Sequence, residues 1–380
     1  MEPGLSIATL VFQGNAGECK IARPDAASSF LEKCRFRGSV RRTDRGPIDD
    51  RPGNAVKALF LVQGMEVAAS RYRALQYFHG LSRRGIDCRA RRFPSYLELA
   101  GAFAEARRED ALFLQRKQLG PIPMSVLRWA ARKLIYDFDD SLWVRSAKHP
   151  DNRSFTRRAR FKRMVSSADE VVAGNSFLAE RASAFNRRVT VIPSPIDVAR
   201  YSVRSPSSDR GSVTLGWIGA PGSLHYLERL KPALVEAHRR DPRIRLKIIC
   251  STFPDFSPVP VDKVPWREET EVEELRTMDI GLMPLLEDDW SRGKCGLKIL
   301  QYLAAGVTVV ATPVGINADI VADGVEGFRA STHKEWVDRI LLLASDPILR
   351  RAMGLAGRKT VESRYSLEGC LPLMEKVLRG

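Results

Sequence analysis

From Lys57 onward the chain alternates two kinds of hydrophobic pattern. Short, nearly continuous apolar runs occur at Ala58–Val62, Asp87–Arg92, Ala111–Gln115, Leu134–Asp137, Glu170–Ala173 and Val189–Ile192. Between them lie stretches with apolar residues at helical spacing: Arg71–Arg84, Tyr96–Arg108, Met124–Ala131, Ser154–Ser166 and Ser176–Phe185. Strand-length runs without alternation are what a parallel sheet covered on both faces requires, and the intervening helices supply the cover. The series then restarts. Strands are predicted at Val213–Ile218, Arg245–Ile249, Ile280–Met283 and Val307–Ala311, with helices at Leu224–Arg239, Glu271–Met278 and Lys294–Ala305 and further helical spacing from Lys334 to Leu378. The expected fold is therefore α/β, two tandem doubly wound, Rossmann-like parallel-sheet domains facing each other across a cleft, where such sheets keep their ligands.

The breaks between patterned stretches set the expected domain limits. Residues 1–55 are rich in Gly, Pro, Ser, Asp and Arg and show no sustained period, so they read as a disordered leader. Residues 56–205 form the first domain, and Pro193, Pro195 and Ser205-Pro206-Ser207-Ser208 mark the linker. Residues 206–365 form the second domain, and 366–380 a terminal helix.

Charge changes this picture by being uneven. The net charge is +16. Residues 56–205 hold 28 Lys and Arg against 14 Asp and Glu, whereas residues 206–380 hold 24 of each. A positive first domain facing a neutral second one predicts an anionic acceptor or membrane surface as partner of the first. The cationic stretch Ser146–Met164 is sparse in the aromatic side chains that would stack bases, so nucleic acid is not expected. No apolar run of about 18 residues is present to span a bilayer. The six cysteines are scattered without a CxxC pair, which fits a reduced, cytoplasmic setting, with contact at the inner face of the membrane.

Three stretches carry candidate chemistry. In the first domain, Gly64 to Arg73 leaves a strand for a helix. There Ser70 is placed to cap the helix, and Arg71 and Arg73 offer guanidinium forks for an acceptor or a phosphate. Tyr136 to Trp143 brings Asp137, Asp139 and Asp140 to a strand's carboxyl end. Crowded carboxylates raise one another's pKa, so Asp139 and Asp140 are the candidate catalytic groups. The Asp-Phe-Asp spacing also admits Mg²⁺ or Mn²⁺, but no metal ligand is assigned. In the second domain, Leu215 to Ser223 is a strand, a glycine turn and a helix start. Gly219 and Gly222 allow close backbone approach, and Ser223 begins the helix whose amides would hold phosphate.

The third stretch, Trp290 to Val321, organises the rest. A polar, glycine-bearing loop leads into a helix from Lys294, closed by Gly306 and followed by a β-branched strand and a second glycine turn at Gly315. Lys294 and Lys298, four apart, are expected on one helix face beside its N-terminus, where a diphosphate would sit. This stretch resembles the nucleotide-sugar signature of the family 4 (group 1) glycosyltransferases, retaining enzymes of the GT-B fold. Leu297, Ala305, Gly306, Val309, Val310, Pro313 and Gly315 stand in register with that signature. Its two glutamates, seven positions apart, fall on Gly293 and Gln301.

The resemblance implies a nucleotide diphosphate-sugar as donor substrate, with no separate cofactor. It places Lys294 and Lys298 on the diphosphate, Gln301 on the ribose, and Gly315, Ile316 and Asn317 near the sugar. It also implies a glycan or lipid-linked acceptor on the first domain, in polysaccharide or glycolipid synthesis, and a last helix crossing back to that domain. Two alternatives stay open because both signature carboxylates are replaced: a non-catalytic nucleotide-sugar-binding subunit, and a GT-B relative such as a sugar-nucleotide epimerase.

Overall fold

In a computed structural model, two six-stranded sheets, parallel throughout, carry the chain. The structure describes residues 55–380 apart from 96–97, 147–148, 150 and 204–210. Nearly all of the leader, and the Ser205–Ser208 part of the linker, thus lie outside the described residues.

The first sheet comprises β1 (Val56–Val62), β2 (Ile86–Arg92), β3 (Ala111–Gln115), β4 (Lys133–Phe138), β5 (Glu170–Ala173) and β6 (Val189–Val191), in the order β2-β1-β3-β4-β5-β6. The second comprises β7 (Val213–Ile218), β8 (Ile244–Cys250), β9 (Val261–Pro265), β10 (Ile280–Met283), β11 (Thr308–Ala311) and β12 (Gly327–Arg329), in the order β12-β11-β10-β7-β8-β9. Every residue of β3, β4, β10 and β11 is buried, as strands covered on both faces must be. Each sheet separates two apolar clusters, one per face. Each order also reverses once, between β1 and β3 and between β7 and β10, and both reversals open a crevice at the strands' carboxyl ends.

Three helices differ from the sequence expectation, each for a local reason. Arg71–Arg84 is not one helix: Ala68–Arg73 and Phe78–Ser82 flank a 3₁₀ turn at Leu75–Tyr77, with Ala74 outside helical dihedrals. Leu224–Arg239 divides into Leu224–Arg229 and Lys231–Arg240, because Pro232 lacks an N–H and suits only a first turn. The predicted Lys294–Ala305 begins at Leu297, since Gly296 takes a left-handed conformation (φ 66°).

The helix Leu367–Arg379 packs against the first domain. Its Cys370, Met374, Val377 and Leu378 join Phe60, Tyr77 and Leu81 in one buried cluster. Arg84 pairs with its Glu375 at 2.7 Å.

Candidate functional site: a cleft between the two sheets

The two crevices meet in a cleft of about 450 Å³. Ala68, Arg71, Tyr72, Asp139 and Asp140 line it from the first domain; Gly219, Ser223, Trp266, Glu271, Lys294, Lys298 and Gln301 line it from the second. Lys298 holds the central position. It sits in the first turn of the helix Leu297–Ala304 and its Nζ lies 4.4 Å from the centre of the Trp217 ring. Among the described residues no carboxylate is within ion-pair distance of it. Burial, with the nearby Lys294 charge, pulls its pKa down to about 7. A cation with no counter-charge, facing a cavity at a helix start, is built to receive an anion. Gly219 permits this arrangement: a Cβ there would stand 2.8 Å from Lys298 Nζ and from the Trp217 ring.

Lys294 also lines the cleft, although it precedes the helix and shares no helix face with Lys298. Its Nζ donates to Asp140 Oδ1 at 2.8 Å and lies 4.6 Å from the centre of the Trp290 ring. Burial and the nearby Arg116 guanidinium lower its pKa, against the opposite pull of Asp139. Asp139 pairs with Arg116 at 3.0 Å, and Asp140 pairs with the same guanidinium. Both candidate carboxylates therefore reach the cleft already compensated. Asp137, fully buried behind them against Arg73, is pushed up to about 6, chiefly by burial and not by the crowding of carboxylates that the sequence suggested.

Several predicted site residues have other employment. Arg73 is 1% exposed; it pairs with Asp137 and donates to the Ile192 carbonyl, so it offers no fork to a ligand. Ser70 does not cap the helix but donates its hydroxyl to Gln115 Oε1 at 2.9 Å, deep in the switch point. Arg71 reaches the cleft, yet its fork is filled by Glu271 at 3.1 Å and Glu268 at 2.9 Å. Gly64 is buried in the turn after β1 and does not line the cleft. The position a Cβ would take at Gly222 is open space. The Gly219 and Ser223 amides are bonded to the carbonyls of Ile249 and Ala220, which leaves the Ser223 hydroxyl rather than its amide for a ligand. Gly315 (φ 55°) packs on the Arg292 backbone, and Ile316 and Asn317 are buried behind Gly296. They support the Gly296–Lys298 turn from behind and do not line the cleft.

Gln301 is 4% exposed and donates to Tyr72 Oη at 3.1 Å. It thereby joins a cluster that no sequence pattern announces. Glu271 accepts from Arg71, from Tyr72 Oη at 3.0 Å and from Trp266 Nε1 at 2.8 Å, and Tyr72 and Tyr201 share a 3.0 Å hydroxyl contact. Burial raises the Tyr72 phenol well above its usual value. The cluster ties the domains together on one side of the cleft. Lys294–Asp140 and the contact of Cys295 Sγ with the Asp139 carbonyl (3.3 Å) tie them on the other.

Outside this cleft, the carboxyl ends of β1 to β4 enclose a second cavity of about 330 Å³. Among the described residues, no group of three or more His, Cys, Asp or Glu side chains is disposed to hold a metal ion.

Comparison with known proteins supports the same class. Residues 227–346 match the family model described as Glycosyl transferases group 1. HepE of Anabaena, solved with UDP and glucose, superposes with a TM-score of 0.64 at 16% identity over 85% of this chain and 99% of its own. Sucrose-phosphate synthase of Thermosynechococcus elongatus gives 0.64 at 15% identity, covering 86% and 98%. A glycosyltransferase of Rickettsia africae gives 0.64 at 14%, again covering 86% and 98%. No curated protein matches the sequence. The family resemblance read from Trp290–Val321 is thus met by the group 1 model, and the architecture is the GT-B glycosyltransferase fold.

Proposed function

We propose that the chain is a hexosyltransferase that moves a sugar from a nucleotide diphosphate-sugar to a glycan or lipid-linked acceptor, with retention at the anomeric carbon. The observation that carries this reading is Lys298: an uncompensated ammonium at a helix start, inside a cleft between two nucleotide-type domains. As the donor's glycosidic bond breaks, negative charge grows on the departing diphosphate. Lys298, Lys294 and the Ser223 hydroxyl are in place to stabilise it. Asp140 holds the Lys294 ammonium, and Asp139 is the carboxylate assigned here to the acceptor hydroxyl. HepE was solved with UDP, which makes a UDP-sugar the first donor to try. The direct test is turnover: Lys298→Ala should abolish sugar transfer from UDP-glucose while the circular dichroism spectrum stays unchanged. Full activity in that variant would overturn the reading.

A binding-only subunit is the second reading, favoured by one feature. Gly293 and Gln301 stand where the resembling signature has carboxylates, and Gln301 is engaged with Tyr72. UDP-glucose bound without transfer or hydrolysis would select it.

The acceptor side of the proposal draws on the surface of the first domain. The helix Pro121–Ala130 exposes Ile122 (74%) and Trp129 (50%) on one side, and Phe155 (87%) opens the neighbouring helix Phe155–Ser167. That second helix turns Arg157, Arg158, Arg160 and Lys162 to solvent, and neither helix has an acidic residue. Apolar tips among cations, without acids, suit the interface of an anionic bilayer and hence a lipid-linked acceptor at the inner face of the membrane. Among the described residues no helix is long and apolar enough to cross one.

A further inference from the structure

The second cavity differs from the donor cleft in chemistry. Arg92, Arg116, Lys117 and Arg157 stand around it, and its wall contains no carboxylate. Arg116 alone is committed, to Asp139 and Asp140. Arg92, Lys117 and Arg157 have no carboxylate within ion-pair distance among the described residues. Three like charges turned toward one hollow repel each other, and a bound anion removes that cost. The rest of the wall suits a sugar: amides at Gln63 and Gln118, and the face of Phe93, with Lys117 Nζ 4.8 Å from its centre.

The position of the cavity is as telling as its wall. Arg116 is the one non-glycine residue with positive φ (57°) among the described residues, a conformation that persists only where the surroundings impose it. It stands between the two cavities, lining the second while its guanidinium holds the carboxylates that line the first. A molecule seated in the second cavity would thus lie one side chain away from the donor.

We infer that this cavity takes a phosphate group borne by the acceptor, held by Arg92, Lys117 and Arg157. An acceptor hydroxyl then extends past Arg116 toward Asp139. The inference rests on the glycosyl-transfer reading for the role of acceptor, whereas the phosphate site stands on its own residues. Two sources share this chemistry, a soluble sugar phosphate and a lipid phosphate, represented by glucose 1-phosphate and decyl phosphate. Each is titrated calorimetrically into the full chain with UDP saturating the donor cleft, and neutral methyl glucoside is the control. At least one phosphate should bind tenfold or more tightly than methyl glucoside. The exposed double variant Arg92→Gln/Lys117→Gln should weaken it at least tenfold and change UDP affinity less than twofold. Preference for glucose 1-phosphate or for decyl phosphate identifies the source. Phosphates bound no better than methyl glucoside, or equally well by the double variant, overturn the inference. If UDP itself fails to bind, the donor reading falls separately, and the same titrations in Lys298→Ala, with the same criteria, decide the phosphate site.

Discussion

At the scale of single residues, the charges of Lys298 and Arg73 behave in opposite ways. Lys298 has no carboxylate partner among the described residues, and its pKa of about 7 makes the cleft sensitive to pH in two respects. A bound diphosphate restores the ammonium's preference for its proton, so donor binding takes up a proton above pH 7. UDP affinity should fall as pH rises from 7 toward 9, by up to tenfold per unit. The stability sign is the reverse. The unfolded lysine keeps its proton to about 10.5 while the folded one loses it near 7. The unfolded state therefore binds more protons between those values, and the ligand-free protein gains stability as pH rises through that window. Lys298→Met should erase both trends together, with UDP affinity and urea midpoint measured across pH 6 to 9. A wild-type UDP affinity flat across that range would show that Lys298 carries no such role. Arg73 is the contrary case, because its partner Asp137 is fully buried. Removing one member of a buried pair leaves the other charge stranded, at a cost of about 3–5 kcal/mol. Arg73→Ala should lose that much in urea unfolding, and a loss below ~1 kcal/mol would show the pair to be dispensable. The role of Arg73 was not legible in the sequence, where Arg73 and Arg71 look alike. Both are spent on carboxylates, Arg73 on Asp137 and Arg71 on Glu271, which lie 64 and 200 positions away along the chain.

At the scale of elements, legibility follows burial. Strands covered on both faces appear as uninterrupted apolar runs, and β3, β5, β7 and β10 coincide with their predicted limits. The second sheet's two edge strands were missed: β9 is mostly exposed, with Asp262 and Lys263 interrupting its apolar run, and β12 is three residues long. Helix limits failed where one residue overrides a period, as Pro232 and Gly296 do. Among the loops, the two glycines after β7 differ in their surroundings. Gly219 was singled out for close approach, and the atoms it admits are the Lys298 ammonium and the Trp217 ring. Gly222, singled out on the same grounds, faces open space. The two glycines therefore predict different outcomes. Gly219→Ala should displace the flexible end of Lys298 and weaken UDP binding by about tenfold, ~1.4 kcal/mol, with little change in melting temperature. Gly222→Ala should leave UDP binding within twofold. Equal effects from the two substitutions would refute the assignment of Gly219 as the support of the lysine.

At the scale of the whole molecule, charge and apolar exposure concentrate on one domain. The first domain carries the excess of basic residues, and its helices display Ile122, Trp129 and Phe155 to solvent. These side chains are available because the inner sides of their helices are used up: Met124 and Leu127 on one, Phe161 and Met164 on the other, fill the core beneath the sheet. Helices in one layer over a sheet share an outward surface, so their exposed sides act together. Arg107, which follows the helix Leu99–Ala106 and lies 4.0 Å from the centre of the Trp129 ring, extends the cationic margin. Each basic residue near an anionic surface contributes on the order of 1 kcal/mol, screened by salt, while buried apolar tips add a term that salt does not screen. Vesicles rich in phosphatidylglycerol should therefore bind the protein, those of phosphatidylcholine alone should not, and part of the binding should survive high salt. Ile122→Asp with Phe155→Asp should remove the salt-resistant part, lowering vesicle affinity at least tenfold in a sedimentation assay, and leave UDP binding intact. Binding that ignores lipid charge, or that the double substitution does not weaken, would mean that this face meets water and not lipid.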